Sequence, residues 1–545
     1  MAKITAPPNA IAFPRLTAAD MALLKPMATA YSFKDGETIY RAGDADVDLF
    51  VVESGEVAVL NPADGEVIVS HGPGQFSGDI DLLTRRPVIV TGVARGQTQL
   101  LRVSGARLRE VLNKLPHFAE VMLGAIQERR RLLAETGVFG LKVVGPGKCR
   151  DTTLVREFLY KNFVPFVWYD SASSKGQQLM AAWGSPQKSP VIEFMDGRRL
   201  TNPGLRELAQ NAGIWRHCPP GPVDLAIIGA GPAGMAAAVY AASEGVSTVV
   251  LDSVGPGGQA GASSKIENFM GFPGGLSGTD LATRSTLQML KFGASMVAPV
   301  LVEKIESGPA AEDGHVLHLD CGTQLRSRTV LIATGVRWRK LEAEGAGRFE
   351  SAGIHYACTS VESVLYDQSD VAVVGGGNSA GQAAVFLADC CRTRTVHLLV
   401  RSRLGPAMSE YLVDRIRGTE NIAVHEGAEI ERVDGERRLE NARLKSGETL
   451  QVSAVFVFIG AEPGGAWMPE EIMRDRLGYL LTGVDAMQSG RWPLKDREPC
   501  PLETTVPGIL AAGDIRSGST KRVGFAVGDG SLAVSCVHRL VSIGT

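Results

Sequence analysis

A multidomain chain is predicted: a β-barrel (jelly-roll) domain, then a small α/β domain, then two nested Rossmann-like α/β dinucleotide-binding domains. Three observations predict it. Strand, glycine turn and helix follow one another twice, at Val223–Ile228 with Gly229-Ala230-Gly231-Pro232-Ala233-Gly234 and at Val371–Val374 with Gly375-Gly376-Gly377. Short strands punctuated by Asp35-Gly36, Asp64-Gly65 and Gly72-Pro73-Gly74 fill residues 12–103. The 545 residues also exceed what one hydrophobic core encloses, so three or four domains are expected.

Composition narrows the function classes. A net charge of −3 leaves no electrostatic footprint for nucleic acid or an anionic membrane. The one basic run, Arg129-Arg130-Arg131, reads as the solvated face of a helix. Residues 1–14 lack the apolar stretch of a secretory signal, and residues 229–242 are too short to span a bilayer. Eight scattered cysteines without a Cys-x-x-Cys suit neither a disulfide framework nor a zinc site; no metal and a cytoplasmic location are expected.

Within the barrel, Leu49–Leu60 reads as a hairpin turning at Ser54-Gly55. Residues 105–135 then take a helical period through Leu108, Val111, Leu112, Leu115, Val121 and Met122. The second module begins with a strand at 141–144, a Gly145-Pro146-Gly147 loop and a helix through Leu154, Phe158 and Leu159. Its remaining pattern completes the order βαβαββα before the Pro-rich linker at 218–222. Domain boundaries are expected at 1–137 and 140–215.

The glycine turns carry the chemistry. Gly229 makes a tight turn, Gly231 admits a pyrophosphate close to the backbone, and Gly234 lets the helix pack on the strand. Strand Thr248–Leu251 ends in Asp252, an acceptor for a ribose hydroxyl. The second turn offers Gly375, Gly377, Asn378 and Ser379, but its next strand, Val396–Val400, ends in Arg401 with Arg403 beyond. Guanidinium groups there suit a 2′-phosphate, so one FAD and one NADPH are expected.

Around these turns the chain resembles the thioredoxin reductases over residues 222–540. The resemblance rests on Gly257-Gly258-Gln259, Glu267-Asn268-Phe269, Gly271-Phe272-Pro273, Ala333-Thr334-Gly335, Phe458-Ile459-Gly460 and Ala511-Ala512-Gly513-Asp514. It implies that Gly258, Gln259, Asn268, Thr334, Gly335, Gly513 and Asp514 belong to the FAD site. It further implies a homodimer with an NADPH domain (342–454) inserted into an FAD domain (216–341 and 455–545). Lys521-Arg522-Val523 departs from the family's usual Arg-Gln-Ala. A larger departure is Tyr356-Ala357-Cys358-Thr359-Ser360, where Ala357 and Ser360 stand at the family's two redox cysteines. Neither can exchange a disulfide, which leaves Cys358 alone between them.

Two further resemblances lie upstream. Residues 73–83 with Arg85-Arg86-Pro87-Val88 resemble a cyclic nucleotide-binding domain, with Asp79 for the ribose-binding glutamate and Val88 where that family carries its phosphate arginine. A docking or dimerisation scaffold is the expected role. The 140–215 module resembles the thioredoxin/glutaredoxin fold, with Cys149-Arg150-Asp151-Thr152 at the active-site position and Ser189-Pro190 at the cis-proline. The expected function is an NADPH-dependent flavoprotein oxidoreductase passing electrons to a small-molecule or small redox-protein acceptor. Three readings stay open: a disulfide reductase using Cys149 or Cys358, a dithiol-free enzyme serving ferredoxin, a quinone or another small acceptor, and a non-catalytic flavin sensor.

Overall fold

Alternation along Leu49–Leu60 sends Leu49 and Val51 toward helices and Phe50, Val52 and Val57 toward the inside of an antiparallel sheet. That division appears in the computed structural model, which describes residues 9–543 apart from 63, 137–139, 148, 185, 187, 264, 309–313, 351–352, 357, 359–362, 364, 437 and 466. Thr91–Val103 pairs along Leu49–Leu60 and with Thr29–Phe33 and Thr38–Tyr40, while Val67–His71 and Phe76–Ser77 complete the six strands.

Three expectations change here. Leu49–Leu60 is one strand and not a hairpin: it stays paired with Thr91–Val103 on both sides of Ser54-Gly55, where the register shifts as a bulge. A Cβ on Gly55 would lie 2.5 Å from the Thr98 hydroxyl, so the bulge needs glycine. The helical stretch after the barrel breaks at Pro116 into Gly105–Lys114 and Pro116–Thr136. Arg129 is not on a solvated face. It is buried, donates to Ala12 O at 2.7 Å, Phe76 O at 3.2 Å and the Gly78 carbonyl, and lies 4.7 Å over the Phe76 ring. Burial pulls its pKa down to about 10. Its neighbour Arg131 does face outward, paired with Glu128 at 2.6 Å.

The second module runs strand Leu141–Gly145, helix Arg150–Lys161, strand Phe166–Asp170, helix Ser174–Ala182, strands Val191–Glu193 and Arg199–Thr201, helix Leu205–Asn211. Leu141–Gly145 pairs parallel with Phe166–Asp170 and antiparallel with Val191–Glu193, and the Ser189-Pro190 peptide is cis.

Two parallel sheets follow. The first orders Ser295–Val297, Thr248–Leu251, Val223–Ile228, Gln324–Ile332 and Ile509–Ala511, with Val302–Glu306 and His315–Leu319 added antiparallel. The second orders Ile354–His355, Ala454–Val457, Val371–Val374, Val396–Val400 and Ile422–Glu426. Because Ile509–Ala511 returns to the first sheet after the second is complete, the second unit is an insertion in the first. Near-continuous Val/Ile/Leu strands buried on both faces are what a helix-covered parallel sheet requires. One apolar core joins the barrel's helices to the first sheet through helix Gly278–Phe292.

Candidate dinucleotide site

The two glycine turns are built alike. At the first, Gly229 N–H donates to Leu251 O at 2.8 Å and Ala333 N–H to Ile228 O at 2.8 Å; at the second, Gly375 N–H donates to Leu399 O at 3.0 Å and Phe458 N–H to Val374 O at 2.7 Å. A Cβ on Gly229 would meet Ala333 O at 2.5 Å, and one on Gly375 would meet Phe458 O at 2.5 Å. The Ala333-Thr334-Gly335 and Phe458-Ile459-Gly460 segments are therefore equivalent walls of two equivalent turns. Gly234 has a different reason: its Cβ would lie 2.0 Å from Gly229 O, within the packing of helix Pro232–Ser243 on its strand.

The first turn opens on a backbone-lined groove. A Cβ on Gly258 would meet Gly231 Cα at 2.8 Å, so two bare backbones face each other beside the helix N-terminus. Beyond it lies a cavity of about 220 Å³ lined by Asp252, Ser253, Thr334, Gly335, Arg337 and Trp467. Backbone donors at a helix start, a carboxylate beyond them and a flanking cavity fit a dinucleotide.

Asp252 is already engaged. One carboxylate oxygen accepts from Ala230 N–H at 2.8 Å, and the other from Val254 and Gly255 N–H at 2.9 and 2.8 Å. A carboxylate has about four acceptor sites, so one remains for a ribose hydroxyl. Gln259 donates its side-chain amide to the Val336 carbonyl, and Asn268 stands exposed on its loop. Gly513 lies against helix Pro232–Ser243, where its Cβ would meet Ala233 at 3.0 Å, and its N–H donates to Asp529 at 3.0 Å. Burial raises the Asp514 carboxyl above the usual carboxylate range, with Lys521 opposing. Lys521 donates to Asp514 O at 3.2 Å and sits 4.0 Å over the Tyr479 ring.

At the second turn, Arg401 and Arg403 are exposed just past the buried strand Val396–Val400. Ser379 is exposed in the first turn of helix Asn378–Cys390. Asn378 accepts from the Ser409 N–H at 2.7 Å and O–H at 2.8 Å, which commits it to holding a neighbouring loop. Arg337 and Trp467 were not singled out by sequence. Arg337 could have been, because it lies two residues after Gly335; Trp467 reaches the cavity from beyond the inserted unit, with no local signal.

Cys500 and Cys536 are hydrogen-bonded to each other in the core that joins the barrel's helices to the first sheet, far along the chain from the 356–360 segment. Cys358 is buried with Tyr366 in the core of the inserted unit. Ala357 and Ser360 lie outside the described residues. Cys149, half-buried, is the N-cap of helix Arg150–Lys161, and its carbonyl accepts from the Thr153 N–H and O–H at 3.0 Å each. All eight cysteines are free thiols. Among the described residues no His/Cys/Asp/Glu group is placed to hold a metal, and no helix is long and apolar enough to cross a membrane.

In the barrel, the Tyr40 hydroxyl meets Ser77 Oγ at 2.5 Å, one residue from Gly78-Asp79. Tyr40 fills the interior with Phe50, Val52, Val57 and Leu100, and Val88 packs against them.

The profile of the pyridine nucleotide-disulphide oxidoreductases matches residues 223–530, and that of the cyclic nucleotide-binding domain matches residues 31–114. The "34.2 kDa protein in rubredoxin operon" of Clostridium pasteurianum is 31% identical over 324 residues, covering 58% of this chain and 97% of that protein. Thioredoxin reductase of Mycoplasma genitalium is 31% identical over 317 residues, 57% of this chain and 93% of its own. Among solved structures, Lactococcus lactis thioredoxin reductase superposes with a TM-score of 0.52 at 25% identity, over 59% of this chain and 99% of that one. The thioredoxin reductase of T. acidophilum gives the same TM-score, identity and coverage.

Proposed function

The chain belongs to the pyridine nucleotide-disulphide oxidoreductase family, and from that premise we propose an FAD-dependent enzyme that draws electrons from NADPH and delivers them to an acceptor without a Cys-x-x-Cys relay. The observation that carries the reading is the pair of matching glycine turns, one followed by Asp252 and the other by Arg401 and Arg403. Bound flavin would supply the two-electron carrier between nicotinamide and acceptor. This chain's own residues would do the rest: Gly229, Gly231, Gly234 and Gly258 cradle the pyrophosphate, and Asp252 takes the ribose. Asp514, whose carboxyl accepts no hydrogen bond among the described residues, faces the ribityl chain in this reading. Gly375, Gly377 and Ser379 would hold the nicotinamide coenzyme, with Arg401 and Arg403 on its 2′-phosphate. Anaerobic mixing of the purified yellow protein with NADPH or NADH tests it: fast flavin bleaching with NADPH alone supports the assignment, and equal rates reject its coenzyme part.

The 140–215 module is read as thioredoxin-like, supported by its strand order and the cis Ser189-Pro190 peptide. A second reading uses it: a thiol at a helix N-terminus has its thiolate favoured by the dipole, and Cys149 is placed so. Cys149→Ser abolishing NADPH-coupled disulfide reduction would select that reading; unchanged turnover would dismiss it.

For the barrel we propose a scaffold and not a sensor of cyclic nucleotides. Val88 offers no charge to a phosphate, and Tyr40 is bonded to Ser77 beside the ribose-binding segment. Calorimetry is expected to show cyclic AMP and cyclic GMP binding no tighter than about millimolar. Low-micromolar binding of either would overturn this.

A further inference from the structure

The loop that follows the carboxylate closing the first glycine turn is held from outside its own sheet. Asp252 gathers the N–H groups of Ala230, Val254 and Gly255. The loop then runs straight into the Gly257-Gly258-Gln259 segment, and Gly257 N–H donates back to Ala230 O at 2.8 Å. What fixes the outer edge of this loop is Asn162 of the second module, 3% exposed and the C-cap of helix Arg150–Lys161. Its side-chain amide donates to Phe158 O at 2.9 Å and to Val254 O at 2.7 Å. Its own carbonyl accepts from Arg86 Nη1 of the barrel at 2.5 Å.

Packing repeats the connection. Val254 packs into the second module's core with Val155 and Phe158, and Phe163, next to Asn162, packs into the core shared by barrel and first sheet. A Cβ on Gly255 would lie 2.8 Å from the Asn162 amide nitrogen, so the loop passes the helix end with no room for a side chain.

We propose that Asn162 is a positioning residue for the flavin site: the second module holds loop 252–258 in the shape that receives the dinucleotide, and Arg86 seats Asn162. This rests on the reading of the first turn as the FAD site. Both amide hydrogens of Asn162 point at carbonyl oxygens, so the side chain must be a double donor there. A carboxylate of the same shape would set acceptor against acceptor and push Val254 away, whereas alanine would only remove the tether.

The test titrates FAD into full-length, flavin-stripped protein, with hydrogen exchange of the 252–258 amides recorded alongside. Asn162→Asp is expected to raise the FAD Kd at least about tenfold and Asn162→Ala about threefold to fivefold, while NADPH affinity stays within about twofold. Arg86→Met, outside the loop, should shift FAD affinity the same way by less. Loop amides should exchange faster in all three. Should Asn162→Asp fail to fold, the other two variants decide. FAD affinity and loop exchange both unchanged would overturn the proposal, as would equal weakening of FAD and NADPH, which marks general destabilisation. A wild-type chain that binds no FAD would instead reject the flavin reading, and loop exchange would still decide whether Asn162 holds the loop.

Discussion

Replacing Arg401 and Arg403 together by alanine is expected to raise the Michaelis constant for NADPH roughly a hundredfold and to move that for NADH less than about twofold. The 2′-phosphate is the only chemical difference between the coenzymes, and in the proposed assignment it would meet the protein where strand Val396–Val400 ends. Both guanidinium groups are exposed there, so each contact is screened and is worth about tenfold, short of the larger value of a buried ion pair. The effect should shrink as salt is raised. Arg401→Lys should recover only part of it, because an ammonium cannot make the bidentate contact. Equal losses for both coenzymes would show that the arginines hold the loop and do not read the phosphate.

Turnover with a standard thioredoxin is expected to lie at least about a thousandfold below that of a dithiol-bearing reductase. Passing an electron pair to an external disulfide through the protein requires one sulfur to attack and a second to re-form the bond. At the positions used for this in thioredoxin reductases the chain has Ala357 and Ser360. Cys358 is buried beside Tyr366, within an apolar core that shields it from a protein substrate. Cys358→Ser should therefore leave turnover with small acceptors within about twofold. Thioredoxin turnover at the level of a dithiol enzyme, unaffected by Cys358→Ser and Cys149→Ser alike, would contradict this account of the site.

What was legible in the sequence was local. A glycine turn announces itself because strand, turn and helix lie within about fifteen residues and each glycine answers a steric demand inside that span. The βαβαββα order of the second module was likewise carried by short-range periodicity. Ser54-Gly55 misled because a bulge and a hairpin use the same residues; only pairing with Thr91–Val103 on both sides distinguishes them. Arg129 misled because its acceptors, Ala12, Phe76 and Gly78, lie at least fifty residues away along the chain. Asn162 gave no signal at all. An asparagine at a helix end is ordinary, and its partner Val254 belongs to another module. Asp252 was found as an acid in register, but its three backbone donors, which make it part of the turn's construction, appear only when the loop is folded.

The central claim, a flavin enzyme without a dithiol relay, is tested most directly by anaerobic reductive titration of the purified chain, counting electron pairs against bound FAD. One pair per flavin is predicted, with the flavin band lost in step with the first equivalent of NADPH. Uptake of a second pair would reveal a redox-active disulfide away from the 357–360 segment, where Ala357 and Ser360 cannot form one, and would contradict the account.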